Sequence, residues 1–386
     1  MMSVRRGRGL GHNLAIRTRP WAYCYLQSAS SSSGLNVQSK NTIINFIKEA
    51  FQKDKVDISA LGWHANKFGG SYSVDNVANI FHGIAKKRDT LGVTLMLKYT
   101  NIVEDKCSIA EAEAEAEASG ASRSRYPQQR VKCLSVTKLF QGLRCIDENM
   151  SQGDKAKATA ALVKCITSAV QASKEVFDGR AIGQCLYALN RTESSRNLMF
   201  LLKRLKEKIE ESDQLVSGQE MGNALYGLRR LSSTHGPVRG ILGALLPKLD
   251  TINWDTNKLH DNKYFMNQQE FSNSVYGLQR MDNKHVEVRK IIFRLASIPY
   301  DPNELIGGQA IGNTLYGLQE MSSNCFAVRK LLDVLSVRTY ASYDELLGNK
   351  LRLRLRLRLR LRLRYRLRLT LTLTTTLTIA LTRTRT

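Results

Sequence analysis

Apolar residues in the middle of the chain fall at helical spacing, on short segments that come in pairs. Over 218–231, Met221, Ala224, Leu225, Leu228 and Leu231 form one stripe at 100° per residue, which predicts a helix, called A here. Almost directly opposite runs a second stripe of Gly222, Asn223, Tyr226, Gly227 and Arg230. A helix resting on a core by one face has a charged, solvated back. This back is built of small residues, an amide and a phenol instead. The run Ser232-Ser233-Thr234-His235-Gly236-Pro237 predicts a turn with capping residues and a helix-starting proline. A second helix, B, follows from Val238, Ile241, Leu242 and Leu245. The B spacing returns as Val288, Ile291, Ile292, Leu295 and as Val328, Leu331, Leu332, Leu335. After a turn two residues shorter it also appears as Leu198, Leu201, Leu202, Leu205.

The A segment repeats as strictly. NALYGL at 223–228 returns as NSVYGL at 273–278 and NTLYGL at 313–318, with QCLYAL at 184–189 as a near copy. The tyrosines, Tyr187, Tyr226, Tyr276 and Tyr316, are spaced 39, 50 and 40 residues apart. Two worn copies precede them, NIFHGI at 79–84 and KLFQGL at 138–143. Their interval of 59 contains the tract EAEAEAEA at 111–118. A period near 40 with two helices per unit predicts an all-α fold, a right-handed α-solenoid of about four clear and two degenerate helix pairs with disordered or low-complexity ends. The chain divides accordingly. Residues 1–40 are a basic leader, 41–105 a helical region with a degenerate repeat, 106–130 a low-complexity, solvated insertion, 131–345 the repeats, and 346–386 a Leu-Arg and Leu-Thr tail.

Gly227 costs about 1 kcal/mol against alanine inside a helix, and its recurrence demands an offset. Two readings of the glycine-flanked stripe stand side by side. In the first, the glycines let A helices of successive units touch, and Asn and Tyr satisfy one another along a buried ladder. In the second, the stripe lines a groove in which Asn223, Asn273 and Asn313 hydrogen-bond, and Tyr187, Tyr226, Tyr276 and Tyr316 stack, on an extended polymer. Beside each tyrosine a pair varies from copy to copy: Asn190-Arg191, Arg229-Arg230, Gln279-Arg280 and Gln319-Glu320. Hydrogen-bonding side chains changing once per helical repeat are how such arrays read single-stranded RNA, although a solvated face is often as rich in Arg and Gln. Arg239, Arg289 and Arg329 recur just after the first apolar residue of helix B. They suit phosphate contacts, or equally a structural bond to a carboxylate or to helix carbonyls.

On the run at 223–228, 273–278 and 313–318, the units resemble the organellar helical-repeat proteins: octotricopeptide-repeat factors of algal chloroplasts and the related FAST-kinase-like and RAP-domain proteins of mitochondria. Their first helix carries a run of the form N-x-L-[WY]-[AG]-L. The resemblance spans about residues 130–340. It implies an α-solenoid that binds an organellar transcript as single-stranded RNA, acts in processing, stability or translation, and works beside other RNA-processing proteins. The proline-rich, Trp-containing octotricopeptide signature and a RAP domain are both missing, so no nuclease chemistry is carried over. The rival expectation is an interaction scaffold of armadillo or HEAT type whose groove asparagines hold an extended peptide.

Charge changes the picture less than its total suggests. Of the net +24, residues 1–40 carry +6 and the tail from Leu351 carries +11, which leaves +7 for 41–350. The leader holds five Arg and no acid before Glu49, a transit-peptide composition that favours mitochondria over plastids. The strict Leu-Arg alternation looks like an expansion of simple sequence and is given no function. Seven scattered cysteines without a C-x-x-C argue against a zinc site or disulfide framework. No run of apolar residues is long enough for a membrane span. No P-loop, GxSxG, HExxH or kinase signature is present, and six dispersed histidines have no partner at catalytic or metal spacing. The expectation is therefore no enzyme, no cofactor and no metal.

Overall fold

The computed structural model describes residues 35–52, 56–118, 131–252, 266–298 and 306–346. Two compact units divide the chain, Met1–Phe46 and Ile47–Thr386. Of the first, only the beginning of helix α1 (Leu35–Gln52) lies among the described residues. The rest of the expected leader, the expected tail beyond Leu346, and residues 119–130 of the expected insertion fall outside them.

The second unit is all-α. In order it contains α2 (Ile58–Phe68), α3 (Val74–Lys87), α4 (Val93–Ala118), α5 (Cys133–Gln141), α6 (Gln152–Ala172), α7 (Gly179–Ala188) and α8 (Arg196–Glu210). There follow α9 (Gly218–Gly227), α10 (Gly236–Asp250), α11 (Gln268–Tyr276), α12 (Val286–Leu295), α13 (Gly308–Gly317) and α14 (Phe326–Leu346). Among the described residues the only bridge pairing is an isolated parallel one between Leu91 and Ile146. Packing runs in steps of two: α3 on α5, α5 on α7, α7 on α9, α9 on α11 and α11 on α13. The intervening helices do the same, from α4 on α6 through to α12 on α14. The arrangement is that of a helical repeat, with A helices stacked on A and B on B.

The hydrophobic stripes read from sequence are the core. Met221, Ala224, Leu225, Leu228 and Leu231 have no exposed surface, and Val238, Ile241, Leu242 and Leu245 match them on α10. Each large aliphatic side chain so buried contributes roughly 1.5–3 kcal/mol. The A helices start where a side chain accepts from the first turn. Ser217 and Glu220 form a reciprocal capping box on α9, as do Asn267 and Glu270 on α11. Asp178 Oδ1 accepts from the Ala181 amide at 2.6 Å on α7. Such caps contribute about 1 kcal/mol each.

Two expectations are corrected. Helix A of the Tyr226 unit stops at Gly227 instead of running to Leu231. Beyond it the chain tightens into turns in which the Leu228 amide donates to the Leu225 carbonyl at 3.0 Å and the Leu231 amide to the Leu228 carbonyl at 2.8 Å. The variable pair therefore sits on a turn, not on the helix. The Glu-Ala tract, expected as a separate insertion from residue 106, is at its start the last turns of α4, with Cys107 buried and Glu111 and Glu115 exposed. Alanine and glutamate are both strong helix formers, so once α4 is nucleated the tract prolongs it.

His64 on α2 is buried and lies 2.8 Å from the Tyr72 hydroxyl. Burial, with a smaller contribution from Lys67, pushes its pKa from 6.5 down to about 4. The fold thus holds a neutral imidazole where the unfolded chain takes up a proton below pH 6.5. That stability is complete above pH 6.5 and is lost as the pH falls towards 4, a change of about 3 kcal/mol. Denaturation midpoints measured from pH 7 to pH 4 should decline in this window, and His64→Phe should flatten the decline.

Candidate nucleic-acid interface

The tyrosines line up. Tyr187 stacks on Tyr226 with ring centroids 5.7 Å apart at 21°, Tyr226 on Tyr276 at 5.7 Å and 21°, and Tyr276 on Tyr316 at 5.5 Å and 23°. Glycine makes this pitch possible. A Cβ on Gly227 would stand 1.9 Å from the Leu186 carbonyl oxygen of the preceding A helix. Gly277 would meet the Leu225 carbonyl at 2.1 Å and Gly317 that of Val275 at 2.0 Å. Each glycine therefore lies directly on the backbone one residue before the previous tyrosine. On the opposite side of the helix, Gly183 and Gly222 face the next unit, with Glu220 and Glu270 carbonyls 2.9 and 3.1 Å from the missing Cβ. Tight backbone contact is thus the use of the recurring glycines. Ala188 stands at the Gly227 position of α7 and is fully buried against the worn copy before it, so the closest approach begins between α7 and α9.

Both faces of Tyr226 and Tyr276 are occupied by neighbouring tyrosines. A base inserted between two rings needs about 3.4 Å on each side, roughly 6.8 Å in all. The observed ladder is too tight for a base to enter between two rungs, which leaves the outer faces of Tyr187 and Tyr316 as the ring faces not set against another tyrosine. What the inner rungs offer a ligand is their edges. Nor do asparagine and tyrosine satisfy one another as the buried-ladder reading supposed: Asn223, Asn273 and Asn313 are half-buried, and among the described residues no hydrogen-bond partner is found for these three side-chain amides.

The variable pair bonds to the previous unit. Arg229 donates Nε–H to the Asn190 carbonyl at 3.3 Å, lies over the Tyr226 ring at 4.7 Å, and donates to the Tyr226 hydroxyl. Gln279 donates to the Arg229 carbonyl at 2.7 Å, and Gln319 reaches the Gln279 carbonyl at 3.5 Å. In these three units the first member of the pair ties one A helix end to the next, whereas Asn190 donates to the Tyr187 carbonyl of its own unit at 2.7 Å. Arg230 and Arg280 are exposed and spend one N–H each on long 3.4 Å bonds to the Arg191 and Arg230 carbonyls. Four N–H donors of each guanidinium remain for other partners. Arg191 is exposed and pairs with Glu148 at 3.0 Å.

Arg239, Arg289 and Arg329 each donate to two carbonyls of the A–B turn. For Arg289 these are Asn283 and Lys284 at 3.0 and 2.7 Å. These carbonyls belong to the A–B turn and not to helix A, to which the structural alternative read from sequence had assigned these arginines. The structure also adds residues the motif did not reveal. Arg180, Gln219, Gln269 and Gln309 are exposed, four residues before Gln184, Asn223, Asn273 and Asn313, on the same side of each A helix. Their signal in the sequence was a Gln or Arg at that fixed offset in every clear copy. In the worn copies the amide position is taken, because Lys138 Nζ donates to Asn79 Oδ1 at 2.7 Å.

One edge of the four clear units thus lines up Arg or Gln, Gln or Asn, Tyr, and Arg or Glu in register. Its arginines are Arg180, Arg191, Arg229, Arg230 and Arg280, and its one carboxylate at these positions is Glu320. Burial pushes the Cys145 thiol up to about 12 and the Cys107 thiol likewise. Among the described residues no cluster of His, Cys, Asp and Glu is fit to hold a metal, and no helix is long and apolar enough to cross a membrane.

Fold and edge together define an α-helical repeat-like protein. Comparison with protein-family models, curated proteins and solved structures finds no match at any level that would add a relative to that description.

Proposed function

We propose that this chain is a right-handed α-solenoid of mitochondria, or alternatively of plastids, that binds single-stranded RNA along the exposed edge of its A helices and so affects transcript processing, stability or translation. One observation supports this reading: an edge in register with an amide and a phenol edge in each of the four clear units and an arginine in the first three of them. Amides recognise the edges of unstacked bases, and the arginines neutralise phosphates. The rings set the pitch and give the edge its stiffness, while their faces serve each other. A peptide scaffold would use the same amides on a main chain, and the cationic balance of the edge favours RNA over it.

Asn223→Ala, Asn273→Ala and Asn313→Ala combined should lower affinity for short mixed-sequence RNA at least tenfold, since three amide hydrogen bonds contribute about 0.5–1.5 kcal/mol each. Helical circular dichroism and melting should stay unchanged. The full chain is the right sample, because its tail arginines then contribute a constant background. Unchanged RNA affinity in the triple variant, or tight capture of an extended peptide at that edge, would refute the RNA reading.

A further inference from the structure

In the last three units, the side chains that the fold leaves open along the A edge are the ones that do not vary. Of the pair that changes from copy to copy, the first member is engaged: Arg229, Gln279 and Gln319 reach the Asn190, Arg229 and Gln279 carbonyls of the preceding unit. The second member is arginine in two of these three units, and its charge serves the phosphates. What stays open beside them is constant. Gln219, Gln269 and Gln309 are exposed, Asn223, Asn273 and Asn313 are half-buried, and no hydrogen-bond partner is found for these side-chain amides among the described residues. Each Gln precedes its Asn by four residues and its tyrosine by seven, which sets two amides one helical turn apart on the side that bears the ring. The stacks from Tyr226 to Tyr276 and on to Tyr316 hold the three pairs in register.

Resting on the RNA reading above, we propose that the ligand of α9, α11 and α13 is a run of adenosines in a single strand. Three like readers in succession require three like bases. An amide binds in bidentate fashion where an acceptor lies beside a donor. Adenine offers that arrangement twice, as N7 beside its N6 amino group and as N1 beside the same amino group, which has one hydrogen for each. Both amides of a unit can therefore engage one adenine. Cytosine offers a single such edge, N3 beside N4. Uracil has one N–H, which two amides cannot share. Guanine presents two acceptors at N7 and O6, and of its two mixed edges the one at N2 and N3 is crowded by the ribose. The unit before these three does not carry the pair, because Arg180 and Gln184 stand at its two positions on α7.

Fluorescence anisotropy of the full chain would compare oligoadenylate, oligouridylate, oligocytidylate and an alternating adenosine–guanosine strand, each of about twelve nucleotides. Equal strand charge makes the contribution of the tail arginines equal. Oligoadenylate should bind at least about fivefold tighter than each of the others, the discrimination of one bidentate pair. Gln219→Ala, Gln269→Ala and Gln309→Ala combined should bring that ratio towards one with helical circular dichroism unchanged. The stacking of oligoadenylate on itself is the same for both proteins, so a ratio lowered by the substitutions reports the amides. Equal affinity for all four strands, tightest binding to a strand other than oligoadenylate, or a preference that survives the triple substitution would overturn the inference and leave the RNA reading in place. Absence of binding to any of the four would remove both.

Discussion

Gly277→Ala will cost more than about 3 kcal/mol, the loss concentrated where α11 meets α9. The added methyl carbon would stand 2.1 Å from the Leu225 carbonyl oxygen and 2.3 Å from its carbon. Neither atom can rotate aside, because both belong to a helix backbone. Relief requires the two A helices to move apart, and that breaks the Tyr226–Tyr276 stack and the bond from Gln279 to the Arg229 carbonyl. Repeat arrays unfold unit by unit, so the measurement is hydrogen exchange resolved along the chain, supported by thermal melting. Gly243→Ala is the matched opposite. That glycine lies inside α10 with nothing within 4 Å, and the substitution should stabilise by about 0.5–1 kcal/mol. Equal effects of the two alanines would remove backbone contact as the reason for the repeated glycine.

The second large effect is on binding. If the A edge holds RNA, Arg230→Gln with Arg280→Gln should weaken it on the order of tenfold or more at low salt. The slope of log affinity against log salt should shrink by about 1.4, two phosphate contacts at roughly 0.7 each for a single strand. Stability should hardly change, because both side chains are exposed and their carbonyl bonds are long. Arg229 provides the contrast. It is packed over Tyr226 and bonded to the previous unit, so its replacement should be felt in the melt before it is felt in the salt slope. A slope unchanged by the double substitution would place the phosphates elsewhere.

How far the sequence disclosed this arrangement differs from residue to residue. Periodicity in Met221 to Leu231 and in Val238 to Leu245 was sufficient for the helix pairs, because burial of an apolar stripe leaves few alternatives. The N-x-x-Y-G register of three copies, with Q-C-L-Y-A at 184–188 as the fourth, placed the tyrosines opposite one another, since like helices stacked alike bring like residues together. The targets of polar side chains were hidden. Whether Gln279 faces solvent or the Arg229 carbonyl depends on a backbone group 50 residues away, and nothing local to Gln279 records it. The end of helix A at Gly227 was obscured for a related reason. Leu228 and Leu231 keep the apolar rhythm while the chain turns, so the hydrophobic pattern outlasts the helix. Gln219, Gln269 and Gln309 were overlooked because they precede the conspicuous motif by one turn.

The rungs from Tyr187 to Tyr226 and from Tyr226 to Tyr276 have the same 5.7 Å separation and the same 21° tilt, although 39 residues span the first and 50 the second. Chain length between units is therefore decoupled from the geometry at the edge. Within this one chain, eleven extra residues between one pair of tyrosines leave the spacing and tilt of their rings unchanged, so the connector joining a B helix to the following A helix is slack that the stacked helices absorb.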